Sequence, residues 1–71
     1  MTYGLYLKRT TQRKFHFHEH LEVQHLPHLN EHILIDGIKY KVVDIVHQFS
    51  TKLVNRNLLE TEQYGSIYAE Q

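Results

Sequence analysis

Three histidines alternate at His16-x-His18-x-His20, and imidazole nitrogen in that pattern is the first chemistry the sequence offers. On an extended strand, residues two apart project from the same face, so the alternation predicts three rings in a row on one side of a sheet. Two neighbours in such a row can bind one zinc ion through nitrogen at about 2.0–2.1 Å, leaving positions for another side chain or water. The outer two lie about 13 Å apart along an extended chain and cannot share a metal. A further ligand would come from His47, His25, His28, His32 or Glu22, and His16, His18, His20 and His47 make up the candidate zinc set. The plainer reading is a solvated face rich in imidazole. His25-x-x-His28-x-x-x-His32 would suit one helical face, but Pro27 sits inside it and favours a loop. His47 lies in an apolar run, where a hydrogen-bonded core or rim histidine is the more ordinary role.

A second chemistry is electrostatic. Lys8, Arg9, Arg13 and Lys14 fall within the first 14 residues with no acid among them, whereas Glu60, Glu62 and Glu70 fall in the last 15 with no base. The basic segment suits an acidic protein surface or a phosphate. Tyr3, Tyr6, Phe15 and Phe17 flank it, and stacking joined to phosphate contact is how small barrels hold single strands. Phe15 and Phe17, however, fit the inward phase of a strand, so core burial is their plainer role. The formal net charge is zero, which argues against a dedicated non-specific nucleic-acid binder. Near the other end, Tyr64, Ile67 and Tyr68 offer aromatic and apolar surface of the kind enriched at interfaces. They dock either on the chain's own sheet or on a second protomer, which would make a homodimer.

Catalysis finds little support. The chain has no cysteine nucleophile, no glycine-rich phosphate loop and no Gly-x-Ser-x-Gly elbow. Glu19 between His18 and His20 could serve as a base beside a metal, but on a regular strand it points to the opposite face. A domain this small is also expected to have little room for a pocket of about 300 Å³ or more.

Seventy-one residues make one domain, close to the lower limit for independent folding. Such folds usually need a disulfide, a metal or a partner subunit. The absence of cysteine excludes the first and any thiolate zinc site. No apolar run approaches the roughly 20 residues that span a bilayer, and the first nine residues lack the order of a secretion signal. The expectation is a soluble, cytoplasmic protein with no membrane partner.

The elements that must position these groups read as strands. Tyr3, Leu5 and Leu7 alternate in a first strand, and 8–14 form a basic loop. Phe15, Phe17, Leu21 and Val23 share a phase in a second, interrupted by Glu19, so a bulge is expected there. A helix from Glu19 to His25 lacks an apolar stripe. Leu26 to Glu31 connects to His32–Ile35, and Asp36-Gly37 then separates two β-prone runs, the strongest hairpin signal in the chain. The inward phase of Ile38, Tyr40 and Val42 moves to Ile45, His47 and Phe49, which predicts a bulge near Val43-Asp44. Gln48 to Lys52 reads as a turn, and Leu53 to Leu59 as a fourth strand with Leu53 or Val54 inward. The last residues read as a strand, a docked tail or a partner surface.

The segment from Leu26 to Phe49, with its Leu-Pro, short apolar strand, Asp-Gly and Tyr40-x-Val42-x-x-Ile45-x-His47, is similar to small β-barrel proteins common in phages and other mobile elements. The resemblance covers about a third of the chain. It implies a small β-barrel, and many such proteins are inhibitors that block a larger host defence protein, among them anti-CRISPR proteins directed at Cas nucleases. The expected fold is all-β over 1–71: a five-stranded SH3-like barrel or strongly bent antiparallel sheet, ending in a short C-terminal helix or docked tail. The expected function is non-enzymatic protein binding through Lys8, Arg9, Arg13, Lys14, Tyr64 and Tyr68, as a mobile-element inhibitor. Zinc is the candidate cofactor. Nucleic-acid binding through the basic loop is the alternative.

Overall fold

A computed structural model describes residues 1–56 and 58–71, with Val54 described in its backbone alone. Five strands form, β1 (Thr2–Lys8), β2 (His16–Glu22), β3 (His32–Ile35), β4 (Ile38–Asn55) and β5 (Leu58–Glu70). They make one sheet in the order β2-β1-β5-β4-β3, curled strongly into a half-barrel. Neighbours run antiparallel except β1 and β5, which pair in parallel from Thr2–Tyr64 to Lys8–Glu70. The sheet is therefore mixed rather than wholly antiparallel, and of the forms expected for the last residues it is the strand that is found, at the centre of the sheet. β2 and β3 are its two edges and are not hydrogen-bonded to each other.

Local sequence explains the bends. Asp36 and Gly37 take φ of 51° and 80°, and Ile35 pairs with Ile38 across them. Asp tolerates the left-handed region and Gly has no Cβ to oppose it, so this two-residue turn is the expected hairpin. Ile33 pairs with Tyr40 and Leu34 with Lys39. The β4–β5 register slips between Val42 and Asp44, leaving Val43 as the extra residue where the inward phase was expected to shift. On β2, Leu5 pairs with Glu19 and Tyr6 with Phe17, so His18 is the extra residue of a second bulge.

The core occupies the inner face. Tyr3, Leu5 and Leu7 of β1, Tyr40 and Val42 of β4, and Ile67 and Ala69 of β5 are buried, and Leu21, Val23, Leu26, Ile33, Ile35, Ile38 and Ile45 pack around them. Phe15 and Phe17 do not join it. Pairing with Tyr6 puts Phe17 on the outer face, half exposed. There Phe15, Tyr68, Tyr6, Phe17 and His20 touch in sequence, the Tyr6 and Tyr68 rings stacked with centroids 5.0 Å apart and the Tyr6–Phe17 and Phe15–Tyr68 pairs edge-on at 5.5 and 5.4 Å. With no second layer over this face, the ladder supplies its packing.

Gln48 to Lys52 is strand, not turn. It contains no glycine, proline or asparagine to divert the backbone, and Glu60 to Tyr64 give it partners throughout. The chain reverses instead between Asn55 and Leu58. The expected strand across Leu53–Leu59 thus corresponds to the tip of a hairpin; its Val54 side chain and Asn57 lie outside the described residues. β3 accompanies β4 only over Ile38–Lys41, and β1 accompanies β5 only from Tyr64 onward. Beyond these limits β4 and β5 continue as a two-stranded arm, which at about 3.4 Å per residue projects some 25 Å. The radius of gyration is accordingly 14.8 Å and the longest extent 52 Å, against a radius of about 11 Å for a compact chain of this length.

The arm is rooted at Tyr3. Register aligns Leu21, Tyr3, Gly65 and His47 across four strands. The buried Tyr3 ring lies over Gly65, where a Cβ would come within 2.7 Å of the ring and collide with the Val46 carbonyl. The Tyr3 hydroxyl accepts a hydrogen bond from Gln63 Nε2 at 2.9 Å and lies 2.7 Å from His47 Nδ1. Gly65→Ala should therefore destabilise the fold by about 1–3 kcal/mol, the usual cost of overfilling a packed site. A urea midpoint unchanged by that substitution would show that the close approach of the Val46 carbonyl and the Tyr3 ring to Gly65 is not needed.

Candidate interaction surface

The histidine row does not form. His16 pairs with Leu7 and so belongs to the inner face, while His20 pairs with Gly4 and belongs to the outer face, because the bulge at His18 reverses the alternation between them. His18 Nε2 lies 3.7 Å from Glu19 Oε1 and 3.9 Å from Asp36 Oδ2, the latter across the open seam between β2 and the β3–β4 turn. The same bulge brings Glu19 beside His18, contrary to the opposite-face geometry of a regular strand. His47 contacts the Tyr3 hydroxyl and ring, the hydrogen-bonded rim role that its apolar setting suggested. Among the described residues, no three of His, Asp or Glu come together in a way that could hold a metal ion.

The basic segment is partly ordered. Gln12 closes a turn on Arg9, its backbone N–H donating to the Arg9 carbonyl at 2.9 Å while its side-chain oxygen accepts from the Arg9 N–H at 2.8 Å. Lys8 Nζ lies 4.0 Å from Glu70 on the neighbouring strand, so it faces a carboxylate of its own chain. Arg13 and Lys14 are exposed. Tyr68 stands within the aromatic ladder, whereas Tyr64 sits exposed at the arm's root. The candidate partner-binding residues therefore divide between two regions of the outer surface.

Two concavities flank the seam. One, of about 340 Å³, includes Arg9, His16, His18, Ile35 and Asp36 in its lining. The other, of about 420 Å³, lies under the connection from Val23 to Glu31 and is lined mainly by Leu5, Leu21, Leu26, Ile33 and Ile67. The expectation that so small a chain lacks such space does not hold, because the half-barrel stays open where a closed barrel would fill its interior.

The surface that the sequence reading missed is the arm. Past the bulge at Val43, β4 places Ile45, His47, Phe49, Thr51 and Leu53 on the inner face, opposite Ile67, Gly65, Gln63, Thr61 and Leu59 of β5. At the root these residues meet the core, but beyond Gln63 nothing in the described chain covers them. Phe49, Leu53 and Leu59 are 64, 65 and 62% exposed, and Leu58 follows at the tip. The signal was legible: the alternation at 45, 47 and 49 continues through 51 and 53. Reading Gln48–Lys52 as a turn broke it. No helix among the described residues is long and apolar enough to cross a membrane.

Comparison with known proteins finds no matching family model, no matching curated protein and no matching solved structure.

At the opposite end of β1, Glu22 receives hydrogen bonds from the Met1 ammonium and the Thr2 hydroxyl, each 2.7 Å long. The ammonium's hydrogen bond, then that from Thr2, holds its carboxyl below the ordinary value of 4.5. A depressed carboxylate stabilises the fold above its unfolded pKa and loses that effect as pH falls through the folded value. The melting-temperature advantage over Glu22→Gln should thus be present at neutral pH, diminish below about 4.5, and shrink with added salt. An advantage that grows on acidification would contradict this assignment.

Proposed function

We propose that this chain is a non-enzymatic protein-binding module that grips its partner with the inner face of the β4–β5 arm. The observation that carries the reading is the exposure of Phe49, Leu53 and Leu59 together on one face of a projecting hairpin. Single exposed apolar residues are ordinary, but three large ones on one face of an element outside the core, with Thr51 and Thr61 between Phe49 and the Leu53–Leu59 pair, mark a surface suited to interaction. Phenylalanine is enriched at protein interfaces, and apolar side chains such as these gain free energy when a partner removes them from water. The body, by this reading, is an anchor, and the basic segment at its end away from the arm steers an acidic partner at long range. The resemblance of the Leu26–Phe49 segment to mobile-element barrel proteins suggests the role: occlusion of a larger host protein, a Cas nuclease being one such target.

A second reading rests on Phe17, half exposed on β2, the strand that follows Arg13 and Lys14. It would bind single-stranded nucleic acid. The Tyr6 and Tyr68 rings are stacked on each other, which leaves less ring face for bases and favours the protein-binding reading.

Phe49→Ser with Leu59→Ser should leave the melting temperature of the body nearly unchanged while lowering affinity for the physiological partner about tenfold or more, as expected for loss of interface anchors. Retention of the same host proteins by wild type and variant, measured by quantitative co-purification, would reject the arm as the binding face. Salt-sensitive binding of a single-stranded oligonucleotide that is lost in Phe17→Ala would instead favour the second reading.

A further inference from the structure

We infer that two copies of this chain pair antiparallel along the free edge of β4 in the arm, about a two-fold axis through Thr51. This contact uses the edge of the arm, whereas the proposed partner contact uses its face.

From Gln48 to Lys52, β4 is paired with β5 on one side and with no strand on the other. An isolated two-stranded hairpin is marginal in water, and a free edge presents unpaired N–H and C=O groups that recruit another strand. The other edges are blunted: β3 has four residues, and β2 carries the bulge at His18. The β4 arm edge has no such device between Asp44 and Leu53. It has no proline, no register shift over that span and, from Ile45 to Leu53, a single charge, Lys52.

The identity of the recruited strand follows from self-complementarity. Antiparallel pairing of β4 with its own copy at Thr51 sets Phe49 opposite Leu53 of the second copy and Leu53 opposite its Phe49. With the existing Leu53–Leu59, Thr51–Thr61 and Phe49–Gln63 pairs, each row across the four-stranded arm then reads Leu59, Leu53, Phe49, Gln63. The central row is threonine throughout. Lys52 meets Ser50, so no like charges oppose each other. Directly opposed apolar and Thr–Thr pairs on neighbouring strands are favourable. The same operation on β5 about Thr61 would set Glu60 against Glu62 twice, and like charges directly opposite are destabilising. The two-fold contact closes on itself, giving a dimer rather than a growing fibre, and it doubles the apolar face available to a larger partner.

Sedimentation equilibrium of the wild-type chain and two matched variants tests the inference. Thr51 and Thr61 are exposed partners of one another within the hairpin, so Thr51→Lys and Thr61→Lys disturb the monomer alike. Wild type should populate a species of twice the 8.6 kDa chain mass. Thr51→Lys, which opposes two ammonium groups at the axis, should raise the dissociation constant about tenfold or more, and Thr61→Lys should change it little. A wild-type chain that is monomeric at every accessible concentration would overturn the inference. So would equal loss in both variants, or open-ended growth that Thr61→Lys abolishes. None of these results tests the apolar face, and because Phe49 belongs to both contacts, the dimer dissociation constant of the Phe49→Ser, Leu59→Ser variant is measured beside its retention of the host protein, so that failure of the dimer and failure of the face are told apart.

Discussion

The parallel ladder of β1 on β5, with Tyr3 laid over Gly65 inside it, joins the two halves of this molecule. β1 and β2 form one hairpin-like unit, β3, β4 and β5 another, and among the described residues the strand pairing between them is the parallel ladder of β1 on β5. Parallel strands usually need a long crossover between them; here the whole intervening chain serves as that connection. Tyr3 lies within the ladder, fully buried, and its hydroxyl reaches Gln63 and His47 on the two strands of the arm. Glycine at 65 admits the ring, and no other residue type leaves that space. The same side chain thus joins the sheet, fills the core and fixes the root of the arm.

The features written locally in the sequence were readable there. Asp36-Gly37 specifies its turn through backbone freedom at two positions, and the shift of inward phase from Val42 to Ile45 announces the extra residue at Val43. The bulge near Glu19 was also marked by a break in phase, but which residue would be extra was not, and that choice decides the histidines. Placing the extra residue at His18 sends His16 and His20 to opposite faces. The orientation of Phe17 depends likewise on which β1 residue it pairs with. Such register is settled by the neighbouring strand, so no pattern within β2 contains it.

The arm shows the converse case. Ser50 and Thr51 look like turn residues by polarity, yet their partners Glu62 and Thr61 lie in β5 and complete a ladder. Polarity there reflects exposure on both faces rather than a change of backbone direction. Once the turn is moved to the residues between Asn55 and Leu58, the apolar residues of the arm acquire a common face, and an otherwise scattered group becomes a surface. The exposed face was hidden for the same reason as the fold: its β4 side shows in the alternation from Ile45 to Leu53 only when that run is read as one strand, and its β5 side only when the register is known.

On the proposed reading, the arrangement separates stability from recognition. The core residues lie at the body end of β4 and β5, while Phe49, Leu53 and Leu59 lie exposed from the Phe49–Gln63 pair outward, so an arm without a core is carried on a core without the arm. The central claim, that the body folds and the arm binds, is tested most directly by replacing residues 51–61 with Asn-Gly, which closes the hairpin at the Ser50–Glu62 pair with a favoured two-residue turn. Thermal unfolding of this shortened chain, measured together with retention of its host partner, is predicted to show a cooperative transition close to that of the full chain and no retained partner. A shortened chain that still holds the partner, or one that no longer folds, would contradict the account.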